Sequence, residues 1–316
     1  MKKAKRIGIL MDPIEAISFK KDSTLEMMWQ AQERGWQLEY FLQNDCYVDN
    51  GVPKARSKGI KVAMNANKWF EFTHEADIQL GDLDVILMRK DPPFDMEFVY
   101  TTYILELAEN AGCLIVNKPN ALRDCNEKMY TQWFPELTPK SFITRNAQDI
   151  RNFLKEHEDI IIKPLDGMGG ASIFRLQKQD PNLGVVIETM TNYGSEFTLC
   201  QKYIPEISEG DKRILVIDGE PIDYCLARIP SQGETRGNLA AGGRGVSKPL
   251  SQRDREICAI VGPELKKRGI IFAGLDVIGD YLTEVNVTSP TCIRELNDQN
   301  KLNIAGILMD TIAEKI

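Results

Sequence analysis

A lysine and a glycine-rich loop near the middle of the chain have the residue types needed to bind a phosphate. Lys163 ends an apolar, β-branched run, and the loop that follows contains Gly167, Gly169 and Gly170. Glycines let backbone N–H groups approach an anion closely, and a lysine adds a point charge to the same oxygens. A glycine-rich hairpin beside a surface lysine would have the same sequence. The pattern thus indicates either a strand, a phosphate-covering loop and a second strand, or a plain hairpin.

Oxygen-bearing side chains near the C-terminal end have the types that bind a divalent cation. Asp276 lies in one strand-like apolar run, and Glu284 and Asn286 lie in the next, two residues apart and so on one face. A tight two-residue turn would place Asp276 on the opposite face, whereas an odd-length loop or a bulge would place it opposite Glu284. Such hard oxygen ligands suit Mg²⁺ that carries nucleotide phosphates. A solvated polar face is the alternative, but acidic residues within apolar strands need a partner, which favours the metal site.

A long segment rich in glycine and arginine, residues 229–245, separates two more regular parts of the chain. It contains five glycines and two arginines, Arg236 and Arg244, and has no strong periodicity. Long loops of this kind inside compact domains are usually functional lids or disordered linkers. Glycines can act as hinges and arginines as anion clamps, so the composition favours a lid.

The composition excludes several classes of protein. Of the 316 residues, 43% are hydrophobic and 27% are charged, as in ordinary globular proteins. The net charge of −7 and the pI near 5.2 argue against nucleic acid as the main partner. No apolar run has the length of a membrane span, and residues 1–6 do not begin a signal peptide. The sequence therefore predicts a cytoplasmic protein with no membrane or nucleic-acid partner.

Cysteine and histidine usage excludes two further chemistries. The seven cysteines are scattered without a C-x-x-C pair, which is typical of reduced, mostly buried thiols. The two histidines, His74 and His157, have no partners at the spacing of a metal site or a catalytic triad. A zinc site and a histidine-activated nucleophile are therefore not expected.

The elements that position these residues begin with a strand–helix–strand unit. Strand-like runs at 6–11 and 36–42 flank a helix whose expected start is the capping box Ser23–Glu26. This order predicts a parallel, doubly wound sheet. Residues 43–80 are polar and are expected to be irregular around a hairpin at 49–51.

Ligands of such sheets bind at the carboxyl ends of the strands. Asp12 and the loop Arg89–Asp95 follow two predicted strands and therefore lie on a candidate binding edge. Pro92 and Pro93 in that loop have a simpler explanation, because they could merely stiffen a connection. Lys128, at the start of the next predicted helix, is by itself better explained as a solvated helix lysine.

Three regions are predicted from these patterns. Residues 1–122 form an N-terminal α/β domain with a doubly wound parallel sheet. From there the strands have fewer crossovers, as in an α+β fold, and divide into a central unit (123–204) and a C-terminal unit (205–316). A hairpin at Asp218–Gly219 and the segment 229–245 belong to the C-terminal unit.

These motifs together resemble the ATP-grasp superfamily and, more closely, the prokaryotic glutathione synthetase family. The resemblance rests on LMRKDPPFD at 87–95, on KPLDGMGGAS at 163–172, and on residues 228–245 combined with 276–295. It extends over essentially the whole chain in the family's order, without a departure at any motif position.

The resemblance implies a two-subdomain ATP-grasp fold after the N-terminal domain and an ADP-forming C–N ligase that makes glutathione. ATP and Mg²⁺ or Mn²⁺ would lie between the central and C-terminal subdomains. The C-terminal carboxylate of γ-glutamylcysteine would become an acyl phosphate, which the amine of glycine would attack. The implied site residues are Lys128, Lys163, Asp166, Gly167, Gly169, Gly170, Gln201, Lys202, Tyr203, Ile204 and Asp211 for ATP; Asp276, Glu284 and Asn286 for the metal; Arg213, Arg228 and Arg236 for the transferring phosphoryl group; and Asp12, Ser289 and Arg294 for the substrates.

Two other functions remain compatible with the sequence. A related ligase, such as one that joins D-alanines, would keep the ATP and metal residues but differ in the segment 229–245 and around Ser289–Arg294. A non-catalytic ATP-binding regulator would lack the lid arginines, and both are present here. The resemblance also implies a homo-oligomer such as a homotetramer.

Overall fold

A computed structural model describes residues 4–167, 169–231, 237, 239 and 242–316. Within these residues the chain forms three β-sheets and eight α-helices. The mixed α/β architecture agrees with the predicted fold class.

The first sheet has a parallel centre and an antiparallel edge. Strand β1 pairs in parallel with β2 and β6, and β6 pairs in parallel with β7. The strand order is β3-β4-β2-β1-β6-β7, with β5 on β4. The strands are β1 (Arg6–Leu10), β2 (Gln37–Phe41), β3 (Cys46–Asp49), β4 (Val52–Val62), β5 (Phe70–Gln79), β6 (Val85–Met88) and β7 (Leu114–Val116).

Two helices cover opposite faces of this sheet, as the doubly wound prediction requires. Helix α1 (Ser23–Glu33) shares a core with Ile7 and Ile9 of β1, whereas α2 (Met96–Asn110) shares a different core with Leu10. The predicted capping box at the start of α1 is wrong. The Asp22 carboxylate accepts the N–H of Leu25 at 2.6 Å and caps the helix one residue earlier.

The prediction that residues 43–80 are irregular is also wrong. They form β3, β4 and β5, joined in antiparallel pairs. Phe70, Phe72, Ala76 and Ile78 of β5 alternate with exposed residues and pack against hydrophobic cores, but the polar residues between them mask this two-residue period. The hairpin within this region is confirmed, because Asn50 and Gly51 take φ values of 48° and 85° between β3 and β4.

The second sheet has its own hydrophobic core. Its order is β10-β9-β11-β8 and all its pairs are antiparallel. Residues of α4 and α5 pack on it around Ile160 and Ile162. After α3 (Pro119–Asp124), the elements are β8 (Ser141–Thr144), α4 (Ala147–His157), β9 (Asp159–Pro164), β10 (Phe174–Gln177), α5 (Leu183–Met190) and β11 (Thr198–Lys202).

The third sheet is antiparallel with the order β14-β13-β12-β15-β16. The predicted hairpin at Asp218–Gly219 is confirmed, because it joins the antiparallel strands β12 and β13. No helix in the described parts of the chain is long and apolar enough to cross a membrane. The elements are β12 (Asp211–Ile217), β13 (Glu220–Ile229), β14 (Arg244–Pro249), α6 (Gln252–Lys267), β15 (Phe272–Ile278), β16 (Tyr281–Asn286), α7 (Ile293–Asn300) and α8 (Ile304–Ala313).

The first and third sheets are joined by common hydrophobic cores. One core contains Ile7 and Ile9 of β1 together with Leu215 and Ile217 of β12. The second sheet has a separate core. The three sheets fall within the predicted regions 1–122, 123–204 and 205–316, whose limits remain predictions.

Asn117, buried just after β7, links the first and third sheets through hydrogen bonds. Its side-chain amide donates to the carbonyls of Phe272 (2.7 Å) and Val287 (2.6 Å). Its side-chain oxygen accepts the N–H groups of Ile271 (2.8 Å) and Phe272 (2.9 Å). One side-chain amide therefore satisfies four backbone groups at the open end of the β15–β16 hairpin, where β15 begins and just after β16 ends.

We expect Asn117→Ala to lower the free energy of unfolding by about 3 kcal/mol or more, because it leaves several buried backbone groups without partners. The measurement is urea unfolding followed by circular dichroism. Asn67→Ala, at an exposed loop position, is the matched control and should change stability by no more than about 0.5 kcal/mol. Equal effects of the two variants would contradict this account of the interface.

Candidate active site

A cleft of about 360 Å³ lies between the second and third sheets, and the Asp91–Pro92 loop of the first sheet reaches it. Most of the predicted nucleotide residues line it. The described lining residues that the sequence predicted are Lys128, Lys163, Gly167, Gly169, Gly170, Gln201, Lys202, Tyr203, Ile204, Asp211, Arg213, Arg228, Glu284, Asn286 and Ser289.

Two buried lysines project into one end of the cleft. Lys163 lies near the end of β9, and Lys128 lies at the start of a short 3-10 turn. The Lys128 ammonium donates to a Glu127 carboxylate oxygen (2.6 Å) and to the carbonyl of Gly167 (3.0 Å). Lys128 therefore holds the glycine loop, residues 165–173, through the carbonyl of Gly167.

The two ammonium groups differ in their electrostatic surroundings. Burial lowers the pKa of Lys163. Burial also acts to lower the pKa of Lys128, but the carboxylates of Glu284 and Glu127 outweigh it, so this pKa is raised. Lys128 is thus held as a cation by carboxylates, whereas Lys163 is a cation that an added anion would stabilise.

The glycine loop has a backbone that only glycine adopts readily. Gly167, Gly169 and Gly170 have φ values of 99°, 69° and 81°, in the left-handed region. All three line the cleft on the same side as the two lysines. The alternative of a plain hairpin with a surface lysine does not fit, because Lys163 is 5% exposed and faces the cleft.

The segment 201–204, at the end of β11, lines the cleft beside apolar residues. Ile161, Ile173 and Ile207 contribute to the same part of the lining. The Gln201 amide donates to the Ser141 hydroxyl at 3.1 Å, which fixes one end of the segment. A planar apolar group such as a nucleobase suits this part of the cleft.

Two buried arginines on adjacent strands share one carboxylate. Arg213 on β12 donates to both carboxylate oxygens of Asp276, at 2.5 and 2.8 Å. Arg228 on β13 approaches an oxygen of Asp276 (2.8 Å) and one of Asp211 (2.5 Å). The other Asp211 oxygen, Oδ1, is buried and has no hydrogen-bond partner among the described residues.

This cluster shifts the pKa values of its members in opposite directions. Burial alone would raise the pKa of Asp276, but Arg213 and Arg228 outweigh it and hold the pKa well below its usual range. Burial raises the pKa of Asp211 to about 7, although Arg228 acts in the other direction. Burial by itself lowers the pKa of Arg228, and the two carboxylates more than offset this.

The predicted metal residues come together because of a bulge. The register of β15 and β16 shifts next to Asp276, which places Asp276 opposite Glu284. The Asn286 amide lies 3.3 Å from Asp276. Among the described residues, no group of three or more His, Cys, Asp or Glu could hold a metal ion. Two carboxylates and an amide suit a cation whose remaining ligands are phosphate oxygens and water.

Of the three residues that were predicted to bind substrates, one lines the cleft and two do not. The Ser289 hydroxyl lines the cleft and donates to the Asp91 carboxylate at 2.6 Å. Asp12 forms an ion pair with Lys90 at 2.9 Å. Arg294 donates to the carbonyl of Phe19 and lies 3.7 Å from Glu26.

Among the described residues, the lining does not include Asp12, Asp166, Asp276 or Arg294. Asp166 helps to raise the pKa of Lys128 and so acts at close range on the site. Arg236 and parts of the segment 229–245 lie outside the described residues, while Gly237 and Leu239 of that segment line the cleft. The roles of these residues remain predictions.

Some lining residues were not predicted from the sequence. Glu127 faces the cleft beside Lys128, and its backbone carbonyl accepts the N–H of Val285 at 2.8 Å. Cys292 is buried in the lining just after Thr291, in the left-handed region at φ 87°. Glu127 is adjacent to Lys128 in sequence, but nothing in that adjacency indicates on which side it faces.

We expect Asp211→Asn to change how stability depends on pH. Because the folded-state pKa of Asp211 is raised from 3.8 to about 7, the folded protein retains a proton that the unfolded chain loses, so this group's contribution falls as pH rises through that interval. In urea unfolding without ligands, the free energy of unfolding of the variant should therefore increase relative to that of the wild type between pH 5 and pH 8. Asp223→Asn, on the surface of β13, is the control, and parallel pH profiles for wild type and Asp211→Asn would contradict the assignment.

Solved structures with a similar fold include ATP-grasp ligases. The D-cycloserine synthetase DcsG aligns with a TM-score of 0.69 at 12% identity, covering 98% of this chain and 99% of that one. The ATP-grasp ligase PsnB, complexed with a minimal precursor, aligns with a TM-score of 0.66 at 16% identity, covering 98% of each chain. These likenesses show that the chain has an ATP-grasp fold.

The sequence comparisons identify the family. The model of the N-terminal domain of prokaryotic glutathione synthetase matches residues 6–123, and that of the ATP-grasp domain of the same family matches residues 127–301. Glutathione synthetases of Pseudomonas aeruginosa (strain PAO1) and Vibrio vulnificus (strain YJ016) are 60% and 58% identical over 311 residues, with 98% of each chain covered. The chain therefore belongs to the prokaryotic glutathione synthetase family, and this membership confirms the predicted activity of an ATP-dependent ligase that makes glutathione.

Proposed function

We propose that the cleft between the second and third sheets carries out this ligation with the residues predicted for it. ATP binds with its base against the segment 201–204 and its phosphates beneath the glycine loop, in contact with Lys128 and Lys163. The observation that carries the proposal is the convergence of two buried lysines and two buried arginines on one cleft. Lys128, Arg213 and Arg228 have carboxylate partners, whereas burial disfavours the charged form of Lys163, which the phosphates of a nucleotide would stabilise.

In the first step, a carboxylate oxygen of γ-glutamylcysteine attacks the γ-phosphorus of ATP. A bond forms between that oxygen and phosphorus, the bond to the bridging oxygen breaks, and ADP leaves. Arg213 and Arg228 stabilise the charge on the transferring phosphoryl group by position, since phosphoryl transfer needs little covalent participation from the protein.

In the second step, the amine of glycine attacks the acyl carbon of the acyl phosphate. The carbon–nitrogen bond forms, inorganic phosphate leaves with the electron pair of the carbon–oxygen bond, and the departing phosphate takes up the proton that the amine loses. The acyl phosphate is readily hydrolysed, so the cleft has to exclude water. The segment 229–245, which contributes Gly237 and Leu239 to the lining, and Arg236 within it are proposed to act as the lid.

Asp276, Glu284 and Asn286 are proposed to hold Mg²⁺ or Mn²⁺ together with the phosphates. The bulge that sets Asp276 opposite Glu284, and the amide of Asn286 beside them, support this assignment. Such an ion neutralises phosphate charge. The related fold of PsnB has been solved in complex with Mg and ADP. Asp211, whose buried Oδ1 has no hydrogen-bond partner in the described part of the chain, is proposed to accept a hydrogen bond from the nucleotide.

Ser289 is the proposed contact for a substrate carboxylate, since it lies at the cleft beside Asp91. Asp12 and Arg294 stay proposed substrate residues with less support, because their charges are engaged by Lys90 and by Glu26. Ser289→Ala should raise KM for γ-glutamylcysteine more than KM for ATP if the assignment holds.

The experiment that tests the function is ADP release with ATP, Mg²⁺ and γ-glutamylcysteine, measured with and without glycine. We expect turnover that depends on glycine and a tripeptide product identified by mass spectrometry. Turnover with D-alanine in place of these substrates would overturn the substrate assignment, and ATP binding without turnover on any pair would overturn the activity.

The proposal includes a cytoplasmic homo-oligomer such as a homotetramer, with small molecules as substrates and no nucleic-acid or membrane partner. Light scattering coupled to size-exclusion chromatography measures the mass in solution against the 35.8 kDa of one chain. A monomeric mass would contradict the oligomer.

A further inference from the structure

A surface arginine stacks on a residue of the nucleotide cleft. The guanidinium carbon of Arg175, on β10, lies 3.6 Å from the centroid of the Tyr203 ring. Tyr203 follows β11 in the segment 201–204 and lines the cleft. This is the shortest of the arginine–aromatic distances found in the described part of the chain; the others are 4.7 Å or longer.

Asp159, at the start of β9, fixes both members of this stack. Its carboxylate accepts a bidentate pair from Arg175, Nε to Oδ1 at 2.9 Å and Nη2 to Oδ2 at 2.6 Å. Its backbone carbonyl accepts the N–H of Tyr203 at 3.0 Å. The ion pair lowers the pKa of Asp159 and raises that of Arg175. Bidentate pairing orients the guanidinium plane as well as neutralising it.

These contacts join two parts of the cleft that are distant in sequence. Strands β9 and β10 carry the glycine loop between them, whereas Tyr203 belongs to the segment that we assign to the base. Arg175 lies on the hairpin that bears the glycine loop and covers the Tyr203 ring. The backbone bond from Tyr203 to Asp159 reaches the same hairpin at its other strand.

We propose that Arg175 is a positioning residue for the nucleotide: it holds Tyr203 and the base-binding end of the cleft against the hairpin that carries the glycine loop, and Asp159 orients it. This inference rests on the proposed site for ATP. Most exposed ion pairs contribute little to stability, and this pair is partly exposed. The Arg175–Asp159 pair therefore orders Tyr203 and strengthens binding of the nucleotide base, and it contributes little to the free energy of unfolding.

The test uses Arg175→Ala and separates the base from the phosphates. Because a stacked guanidinium at a partly exposed site contributes modestly, we expect KM for ATP to rise about two- to fivefold. The inhibition constant of adenosine, which has a base but no phosphates, should rise by the same factor. The inhibition constant of inorganic tripolyphosphate and kcat should each stay within about twofold, because Arg175 contacts Tyr203 and is not among the described residues that line the cleft.

Arg145→Ala is the matched control. Arg145 lies over the Phe197 ring at 4.7 Å in the same part of the chain, and neither residue lines the cleft. Removing it deletes a similar stack without touching Tyr203, so adenosine inhibition should not change. Arg175→Lys keeps the charge but loses the planar fork, and it should recover only part of the adenosine affinity.

A double-mutant cycle tests the role of Asp159. If Asp159 acts through Arg175, then Asp159→Asn in the Arg175→Ala background should add less than it does alone. Full additivity of the two changes would contradict the orienting role.

Each outcome decides the inference. Weaker adenosine inhibition with unchanged tripolyphosphate inhibition supports it. An equal loss for both inhibitors would mean that the whole hairpin is disordered, and no loss for either would mean that the stack is passive; both overturn it. Arg175→Gln, measured in the same way, replaces the alanine variant if that variant does not fold. A wild-type protein that makes no glutathione would overturn the proposed function instead, and the affinities of adenosine and tripolyphosphate for wild type and Arg175→Ala would then be compared by isothermal titration calorimetry.

Discussion

Arg228→Lys is expected to lower kcat by about a hundredfold or more, while KM for ATP changes by less than about threefold. The Arg228 Nη2 atom contacts the carboxylates of Asp211 at 2.5 Å and Asp276 at 2.8 Å, and Nε donates to the backbone carbonyl of Asp211 at 3.3 Å. A lysine has a single nitrogen for all of these contacts and for the phosphoryl group, so it cannot keep them together. The loss therefore falls on the transition state rather than on ATP binding. Steady-state kinetics of ADP release measure both constants.

Arg255→Lys is the control for this experiment. Arg255 forms a surface pair with Asp223 at 3.0 Å on the far side of β13, and its replacement should change kcat by less than about twofold. A circular dichroism spectrum and an unfolding midpoint like those of the wild type exclude misfolding as the cause. A loss of less than tenfold for Arg228→Lys would remove Arg228 from the proposed mechanism.

Asp276→Asn is expected to lower the free energy of unfolding by about 3–5 kcal/mol, in addition to impairing activity. The Asp276 carboxylate is 1% exposed and carries the ion pairs of both Arg213 and Arg228. An amide of the same shape leaves two buried guanidinium groups without their shared counter-charge. Urea unfolding in the absence of nucleotide gives the stability, and the magnesium dependence of turnover gives the effect on the proposed metal site.

The pH dependence of this effect has a definite sign. The pKa of Asp276 is depressed in the folded protein, so its stabilisation is present above the unfolded-state value of 3.8 and is lost as pH falls through the folded-state pKa. The difference between wild type and Asp276→Asn should therefore be largest near neutral pH and shrink below pH 4. Asp280→Asn, exposed in the turn of the same hairpin, is the control. Equal losses for the two variants, or a difference that grows on acidification, would count against the buried pairing.

The amino-acid sequence by itself predicted the class of fold and the main residues of the cleft. Local patterns were sufficient for the parallel sheet, because buried strands such as β1 and β6 are continuous apolar runs. They were also sufficient for the glycine loop, because Gly167, Gly169 and Gly170 adopt a backbone conformation that other residues rarely take. The order of the motifs then indicated the family, which the comparisons confirm.

Two local predictions failed, one for a strand whose apolar residues alternate with polar ones and one where neighbouring residues compete for the same role. Strand β5 packs Phe70, Phe72, Ala76 and Ile78 against hydrophobic cores, but its overall polar composition led to the prediction of an irregular segment. Asp22 caps α1 in place of Ser23 because its carboxylate reaches the free N–H of Leu25. Propensity and spacing describe single segments and do not rank such alternatives.

The tertiary structure decided the pairing of charges and the register on which the proposed metal site depends. The sequence left open whether Asp276 faces Glu284, and a bulge between β15 and β16 places it there. Nothing local indicates that Arg213 and Arg228 share that carboxylate, that Asn117 satisfies four backbone groups of a distant hairpin, or that Arg175 stacks on Tyr203. These contacts join residues far apart in the chain, and their geometry follows from how the sheets pack, which a linear pattern does not contain.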